Sequence, residues 1–416
     1  MNNAFRQPNN KIAKAAADNE ILKNLIVDKI ANTPNQRITF AEYMDLVLYH
    51  PEQGYYATGA VNIGSDGDFF TSPHLANDFG ELLAEQFAEI WDILGRPTLF
   101  TLIEMGAGQG LLAADVLGYL QRRHPDCFAA LEYLIIEKAA GLIAQQKRLL
   151  EPLFPVKWSS LAEVAKNSIK VGCFFSNELV DALPVHQVMV RDGQLQEIYV
   201  TISKTTNNEI DFVEVIDSPS TPQLNQYFEF VEIDLSSYPN GYRTEVNLAA
   251  LDWLNTVANC LDQGFLLTID YGYSATRYYQ LSRHQGTLQC YFQHQHHDNP
   301  YLYIGHQDIT AHVDFTALER QGELSGLCNV GFTQQGLFLM ALGLGDRLTA
   351  LSCYDSSRGQ VDASAKDVMA IMQRRDALHQ LINPMGIGGF GVLIQSKGLN
   401  SELGKTLKGL SIPPMF

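Results

Sequence analysis

Glu104-Met105-Gly106-Ala107-Gly108-Gln109-Gly110 is the stretch of this chain best suited to holding a small ligand. Glycine at every second position lets the backbone bend sharply and approach a ligand with no Cβ in the way. A helix beginning at Leu111 would aim its unpaired N–H groups and the positive end of its dipole at the same spot, which suits a carboxylate. Glu104 stands two positions before the first glycine. Its charge repels a pyrophosphate and attracts an ammonium or a sulfonium. Glu137 closes a second apolar run. In doubly wound folds an acid at that strand tip accepts hydrogen bonds from a ribose. A dinucleotide site usually shows G-x-G-x-x-G, whereas the spacing here is G-x-G-x-G. The loop could therefore serve a sulfonium methyl donor, a dinucleotide, or no ligand at all. The loop, its two acids and the later strand ends together favour the methyl donor, S-adenosyl-L-methionine. Glu104, Gly106, Ala107, Gly108, Gly110 and Glu137 would surround it.

More polar residues arrive at the ends of later apolar runs. Val171–Ser176 delivers Asn177, Glu178 and Asp181, and Phe265–Asp270 ends in Asp270-Tyr271-Gly272. Ligands of open α/β sheets sit outside the carboxyl ends of the strands. Asn177, Glu178 and Asp181 are therefore candidates for a catalytic floor, with Asn177 also at the cofactor. The alternative is a helix N-terminus capped by Asn177, with Glu178 and Asp181 complementing the dipole. Asp270 and Tyr271 are candidates for the substrate pocket, against a simple turn. Thr71-Ser72-Pro73 and the stretch from Asp308 to Asp314 are candidates for loops that close over a ligand. The first would touch the cofactor; the second would touch the substrate through Asp308, Thr310 and His312. Turn chemistry, with Ser72 or Thr310 capping a helix, explains them as well. His312 lies between Ala311 and Val313, a setting that fits a buried, hydrogen-bonded histidine better than a base. Cys290–His297 (CYFQHQHH) matches no standard zinc spacing, so no metal is expected.

A scaffold for these residues is visible from Pro97 onward. Short apolar runs (Leu99–Glu104, Tyr133–Glu137, Val156–Ser159, Val171–Ser176, Phe265–Asp270) alternate with helical stretches such as Leu111–Arg123. That alternation implies a parallel, doubly wound α/β sheet. Gly331–Leu342 and Phe390–Gln395 are expected to add a closing pair of strands. Residues 1–96 read as a helical extension that helps to cover the active site. It holds a capping box at Thr39 and Glu42 and a long amphipathic helix from about Asn77 to Leu94. Residues 97–187 and 243–416 make the two halves of the core. Residues 188–242, with hairpin turns at Arg191-Asp192-Gly193 and Asn207-Asn208, make an insertion between them.

Composition narrows the partners. The chain has 416 residues, of which 46% are hydrophobic, and a formal net charge of -17. It is long enough for two or three folding units. Its acid excess disfavours nucleic acid, which needs a basic surface to displace counterions, and favours a cationic or neutral partner. Six scattered cysteines without a CxxC pair fit reduced thiols and a cytoplasmic setting. No apolar run approaches the ~20 residues of a membrane span, so no membrane insertion is expected.

Several separated stretches carry a family likeness. They are Tyr49-His50-Pro51 with Gly54-Tyr55-Tyr56; Gly67 to Pro73 followed by Phe79-Gly80-Glu81; Glu104 to Gly110; Asn177-Glu178 with Asp181 to Val185; Ile269 to Gly272; Gly286-Thr287-Leu288 with Cys290-Tyr291; and Asp308 to Phe315. From about Ile38 to about Gly398 the sequence resembles the MidA family, methyltransferases related to the mitochondrial complex I assembly factor that methylates a protein arginine. Phe70 departs from the family pattern, which has a smaller aliphatic residue there. The resemblance implies the Rossmann-like class I methyltransferase sheet, seven mostly parallel strands in the order 3-2-1-4-5-7-6, with an N-terminal helical part and a β-rich insertion. It implies Gly106, Gly108 and Gly110 at the cofactor. It also implies a protein substrate, to be sought among subunits of a respiratory or NDH-type complex. A guanidinium stays protonated and is a poor nucleophile. Two carboxylates can grip it bidentately, localise its charge away from the attacking nitrogen and help take up the proton. Glu178 and Asp181 suit that task. An assembly chaperone that keeps the cofactor fold, or a small-molecule methyltransferase, would share many of these features.

Overall fold

A computed structural model describes residues 18–58, 72–204, 210–293, 295–357, 365–399 and 407–413. Thr71, Phe70 and the turn at Asn207-Asn208 lie outside the described residues. Seven apolar runs form one sheet: β1 Phe100–Met105, β2 Leu131–Ile136, β3 Val156–Ser159, β4 Ile169–Asn177, β5 Leu261–Asp270, β6 Cys328–Gln334 and β7 Gly391–Lys397. Across the sheet they lie in the order β3-β2-β1-β4-β5-β7-β6. Neighbours from β3 through β5 run parallel, while β7 is antiparallel to both β5 and β6.

Alternate residues of these strands feed two apolar layers. Phe100 and Leu102 pack with Tyr133, Phe175, Phe265 and Ile394. That layer lies under helices Asp78–Ile93, Leu111–Arg123 and Gln335–Leu342. Ile103 and Met105 pack with Leu134, Phe174, Leu266 and Leu393, under helices Leu248–Cys260 and Phe315–Leu324. Burial on both faces is what a parallel sheet flanked by helices requires. One expectation fails here. Gly331–Leu342 is a strand only as far as Gln334; Gln335–Leu342 is a helix that buries Phe338, Leu339 and Leu342. A short apolar run has no periodicity that separates the two states, and tertiary packing decides between them.

The hairpin of the expected insertion is present, with strands His186–Arg191 and Gln194–Lys204 turning at Asp192 and Gly193, both at positive φ. That is the two-residue turn whose twist matches antiparallel strands. The sheet it belongs to passes both ends of residues 188–242. It starts at His186, ends with Arg243–Val246, and takes in Ile38–Thr39 from the N-terminal region. The N-terminal helices and this sheet therefore share a core of Phe40, Tyr43, Val200, Phe212 and Ile309. A small three-stranded sheet, Gln295–His297, Gln289–Phe292 and Asp308–Thr310, leans on the same core through Cys290 and Ile309.

Candidate active site

A cavity of about 570 Å³ opens beyond the carboxyl ends of β1, β2, β4 and β5. At one end lies the glycine loop. Gly106, Gly108 and Gly110 all have positive φ, at 71°, 52° and 84°. A Cβ on Gly106 would come within 2.8 Å of Leu179 Cδ1. Only glycine meets both demands without strain. Glu104 is buried at the base of the loop and accepts a hydrogen bond from Tyr133 Oη at 2.7 Å. Burial pushes its carboxyl up to about 7. Glu137 follows β2 directly, and its Oε1 accepts the N–H groups of Lys138 and Ala139 at 2.8 and 3.0 Å. Burial raises its pKa as well.

Gln146 joins the loop to that acid. Its Nε2 donates to Gly108 O at 2.8 Å and lies 3.4 Å from Glu137 Oε2, while its Oε1 accepts from Trp158 Nε1 at 2.9 Å. Gln146 is not among the site residues expected from the sequence. A signal was available: Leu142, Gln146 and Leu150 form the buried stripe of helix Ala140–Leu150, and a glutamine in such a stripe needs partners.

The other end of the cavity is acidic and aromatic. Glu178 has φ 52°, unusual for a side chain larger than glycine, and its N–H donates to Ile269 O at 2.9 Å. Its Oε1 accepts from Asn177 Nδ2 at 3.0 Å and from the Ser72 N–H at 3.3 Å. Burial pushes its carboxyl up to about 8. Asp181 is held well above the ordinary carboxylate range by burial first, then by the neighbouring charges of Asp270, Asp308 and Glu178. Tyr56 Oη donates to Asp308 Oδ1 at 2.8 Å, and Tyr49 Oη donates to Ala182 O at 3.0 Å. Tyr49, Tyr56 and Tyr291 all line this end. Glu104, Glu137, Glu178, Asp181 and Asp308 face the cavity with Lys138, whose amine sits over the Tyr49 ring at 5.3 Å. The excess of carboxylates makes the space attractive to cations.

Of the expected site residues, Pro73, Glu104, Gly106, Ala107, Gly108, Glu137, Asn177, Glu178, Asp181, Tyr271, Asp308 and Thr310 line the cavity. Gly110, Ser72, Asp270 and His312 are not among its lining residues. Gly110 is the residue before helix Leu111–Arg123, and a Cβ there would face the Gln146 side chain. Ser72 is fully buried and donates through Oγ to Gln335 Oε1 at 3.3 Å. Asp270 turns to the backbone of the Glu178 turn. His312 stands edge-on to Tyr271, with ring centroids 4.1 Å apart. Its ring nitrogens are buried and have no hydrogen-bond partner among the described residues. Burial lowers its pKa to about 3, so it is neither the hydrogen-bonded histidine expected nor a base near neutral pH.

Two capping alternatives also fail. No helix follows Asn177, since residues 178–185 are turn and irregular backbone. Asp314, not Thr310, caps helix Phe315–Leu324. Tyr49, Tyr56, Tyr291 and Gln289 also line the cavity and were not expected there from the sequence. Among the described residues no group of three or more His, Cys, Asp or Glu side chains could hold a metal ion, and no helix is long and apolar enough to cross a membrane.

A family model described as S-adenosyl-L-methionine-dependent methyltransferase matches residues 82–333, which take in the glycine loop and every acid of the cavity. The chain belongs to this family. It is 28% identical to the human mitochondrial protein arginine methyltransferase NDUFAF7 over 339 residues, 76% of this chain and 72% of that protein. Its likeness to the Drosophila melanogaster homolog is 28% over 324 residues, covering 73% and 71%. A crystal structure from Burkholderia thailandensis with S-adenosyl-homocysteine bound superposes with a TM-score of 0.80, at 29% identity, covering 98% of each chain. S-adenosyl-L-methionine is the cofactor of this methyltransferase. The residues present fit it. The glycine loop leaves no Cβ in its path, acids flank both sides of the loop, and Asn177 Oδ1 is a buried acceptor with no partner among the described residues.

Proposed function

We propose that this methyltransferase acts on an arginine side chain of a protein. The observation that carries the proposal is the acidic and aromatic end of the cavity, where Glu178, Asp181 and Asp308 gather with Tyr49, Tyr56 and Tyr291. A guanidinium is planar and cationic. It can be gripped bidentately by carboxylates and stacked against phenol rings. The arginine methyltransferases among the relatives support the same substrate class. The resemblance of the sequence points further, to a subunit of a respiratory or NDH-type complex.

When bound, the cofactor supplies a methyl group on a positively charged sulfur. The chain does the remaining work. The N-terminus of helix Leu111–Arg123 and the loop at Gly106–Gly108 would receive the cofactor's carboxylate end. Asn177 and Glu104 would hold its ammonium, and Glu137 its ribose. An arriving guanidinium favours the ionised forms of Glu178 and Asp181, which would hold it in line and localise its charge away from the attacking nitrogen. Transfer of the methyl group from sulfur to nitrogen would release a proton from that nitrogen, and one of these carboxylates would take it. Purified protein incubated with radiolabelled cofactor and cell extract tests the substrate class. A labelled protein band that yields methylarginine on hydrolysis is the expected result. Label confined to a small metabolite, or to another amino acid, overturns it.

A further inference from the structure

The last residue of β5 governs the turn that carries both acceptor-side carboxylates. Asp270 is fully buried behind the cavity wall. Its Oδ2 accepts the N–H groups of Leu179, Val180 and Asp181 at 3.2, 2.8 and 3.4 Å. Its Oδ1 accepts the N–H of Tyr271 at 2.8 Å. Three successive amides converging on one oxygen form a nest around an anion. Here the anion is part of the chain, and the nest restrains the backbone that links Glu178 to Asp181. One residue earlier in β5, Ile269 O takes the Glu178 N–H at 2.9 Å. The tip of β5 thus holds Glu178 in its left-handed conformation, a state that is unfavourable for an L residue without such support. Through Tyr271, which lines the cavity, the same carboxylate also ties down an aromatic wall.

We infer that Asp270 is a positioning residue for methyl transfer, setting from behind the wall the separation and direction of Glu178 and Asp181. The inference rests on the proposed role of those two carboxylates. The ionisable groups involved are few. Asp270, Asp308 and Glu178 act on Asp181, and Asp270 acts on Glu178, which Asn177 and the Ser72 N–H also hold. Tyr49, Tyr56 and Tyr291 feel the charges of Asp181 and Asp308 from the opposite side. The negative charge of Asp270 raises the proton affinity of both Glu178 and Asp181.

Asp270→Asn keeps the shape of the side chain but presents an NH2 to one of the two amide sets. Cofactor affinity by calorimetry should stay within about threefold, while kcat falls on the order of 10²-fold, the effect of a small displacement of reacting groups. The acid limb of the kcat profile should move to lower pH, because a buried negative charge is gone. Glu197→Gln is the control: Glu197 is a fully buried carboxylate paired with His186 in the second sheet. It should lower the melting temperature and leave kcat and the pH limb unchanged. Asp270→Asn behaving like Glu197→Gln would overturn the inference, as would a loss of cofactor affinity matching the loss of kcat. Glu178→Gln separates the two ideas, since full activity there removes the role of Glu178 itself. Should Asp270→Asn not fold, hydrogen exchange in the wild-type protein decides: the amides of residues 179–181 should be protected, and exchange at the rate of a free loop defeats the clamp.

Discussion

The two ends of the cavity are built in different ways. The cofactor end is local: Glu104 to Gly110 is one strand-to-helix turn, and Glu137 to Gln146 is the next. Its shape lies in the backbone, in three positive φ angles and one close approach. The acceptor end draws on residues 49–56, 177–182, 289–296 and 308–310, four segments brought together by two different sheets and an N-terminal helix. Its character lies in side chains, carboxylates and phenols that neutralise nothing of each other's charge. The lesson is that cofactor binding and acceptor handling should be separable by mutation. Backbone-altering changes should strike the first and isosteric changes the second.

The sharpest test is Glu178→Gln. It should lower turnover by about 10²–10⁴-fold, the range for a lost general base, with cofactor affinity unchanged by calorimetry. Full activity would remove Glu178 from the chemistry. Gly108→Val attacks the opposite end. A β-branched residue at that positive φ carries a penalty of roughly 1–2 kcal/mol before any clash with the ligand. Cofactor affinity should drop at least about tenfold; an unaltered binding isotherm would misplace the loop. Gln146→Leu removes the donor to Gly108 O and strands the Trp158 N–H. Losing a buried hydrogen bond costs about 1 kcal/mol, so cofactor affinity should weaken roughly fivefold while the Michaelis constant for the acceptor holds steady. A change in the acceptor constant alone would erase the division between the ends. Tyr56→Phe is its mirror image. It takes one donor from Asp308, and a severalfold rise in the acceptor Michaelis constant, with cofactor affinity untouched, is the expected outcome.

The smallest effect, on stability against pH, joins both ends. Burial lifts Glu104 to about 7 and Glu178 to about 8, and raises Asp270 as well. Between the ordinary carboxylate values and these, the folded protein holds protons that the unfolded chain has released. Stability must therefore fall as pH rises through that window. The melting temperature of cofactor-free protein should be lower at pH 8 than at pH 5.5. The cofactor, as a cation, should restore more at pH 8. Thermal shifts at the two values check this, and a melting temperature that climbs with pH would mean that these acids are not buried as described.

What the sequence determined by itself was whatever depends on neighbours in the chain. Apolar runs alternating with helical stretches placed the core strands to within a few residues, Thr39 and Glu42 form their capping box, and the glycines turn where their spacing requires. Glu178 and Asp181 were legible because strand ends collect ligands. Tertiary structure alone decided the rest. Gln335–Leu342 became a helix because its apolar residues met the layer under Asp78–Ile93, not because of any local preference. Arg243–Val246 and Ile38–Thr39 joined one sheet across some two hundred residues of chain. Asp270 ends β5 and Glu178 follows the end of its neighbour β4, yet Glu178 lines the cavity while Asp270 faces backbone amides. The His312 ring was left among aromatic neighbours such as Tyr271, its nitrogens without a hydrogen-bond partner among the described residues. A carboxylate or an imidazole takes its role from the donors that surround it, and those donors come from segments whose proximity only the packed core creates.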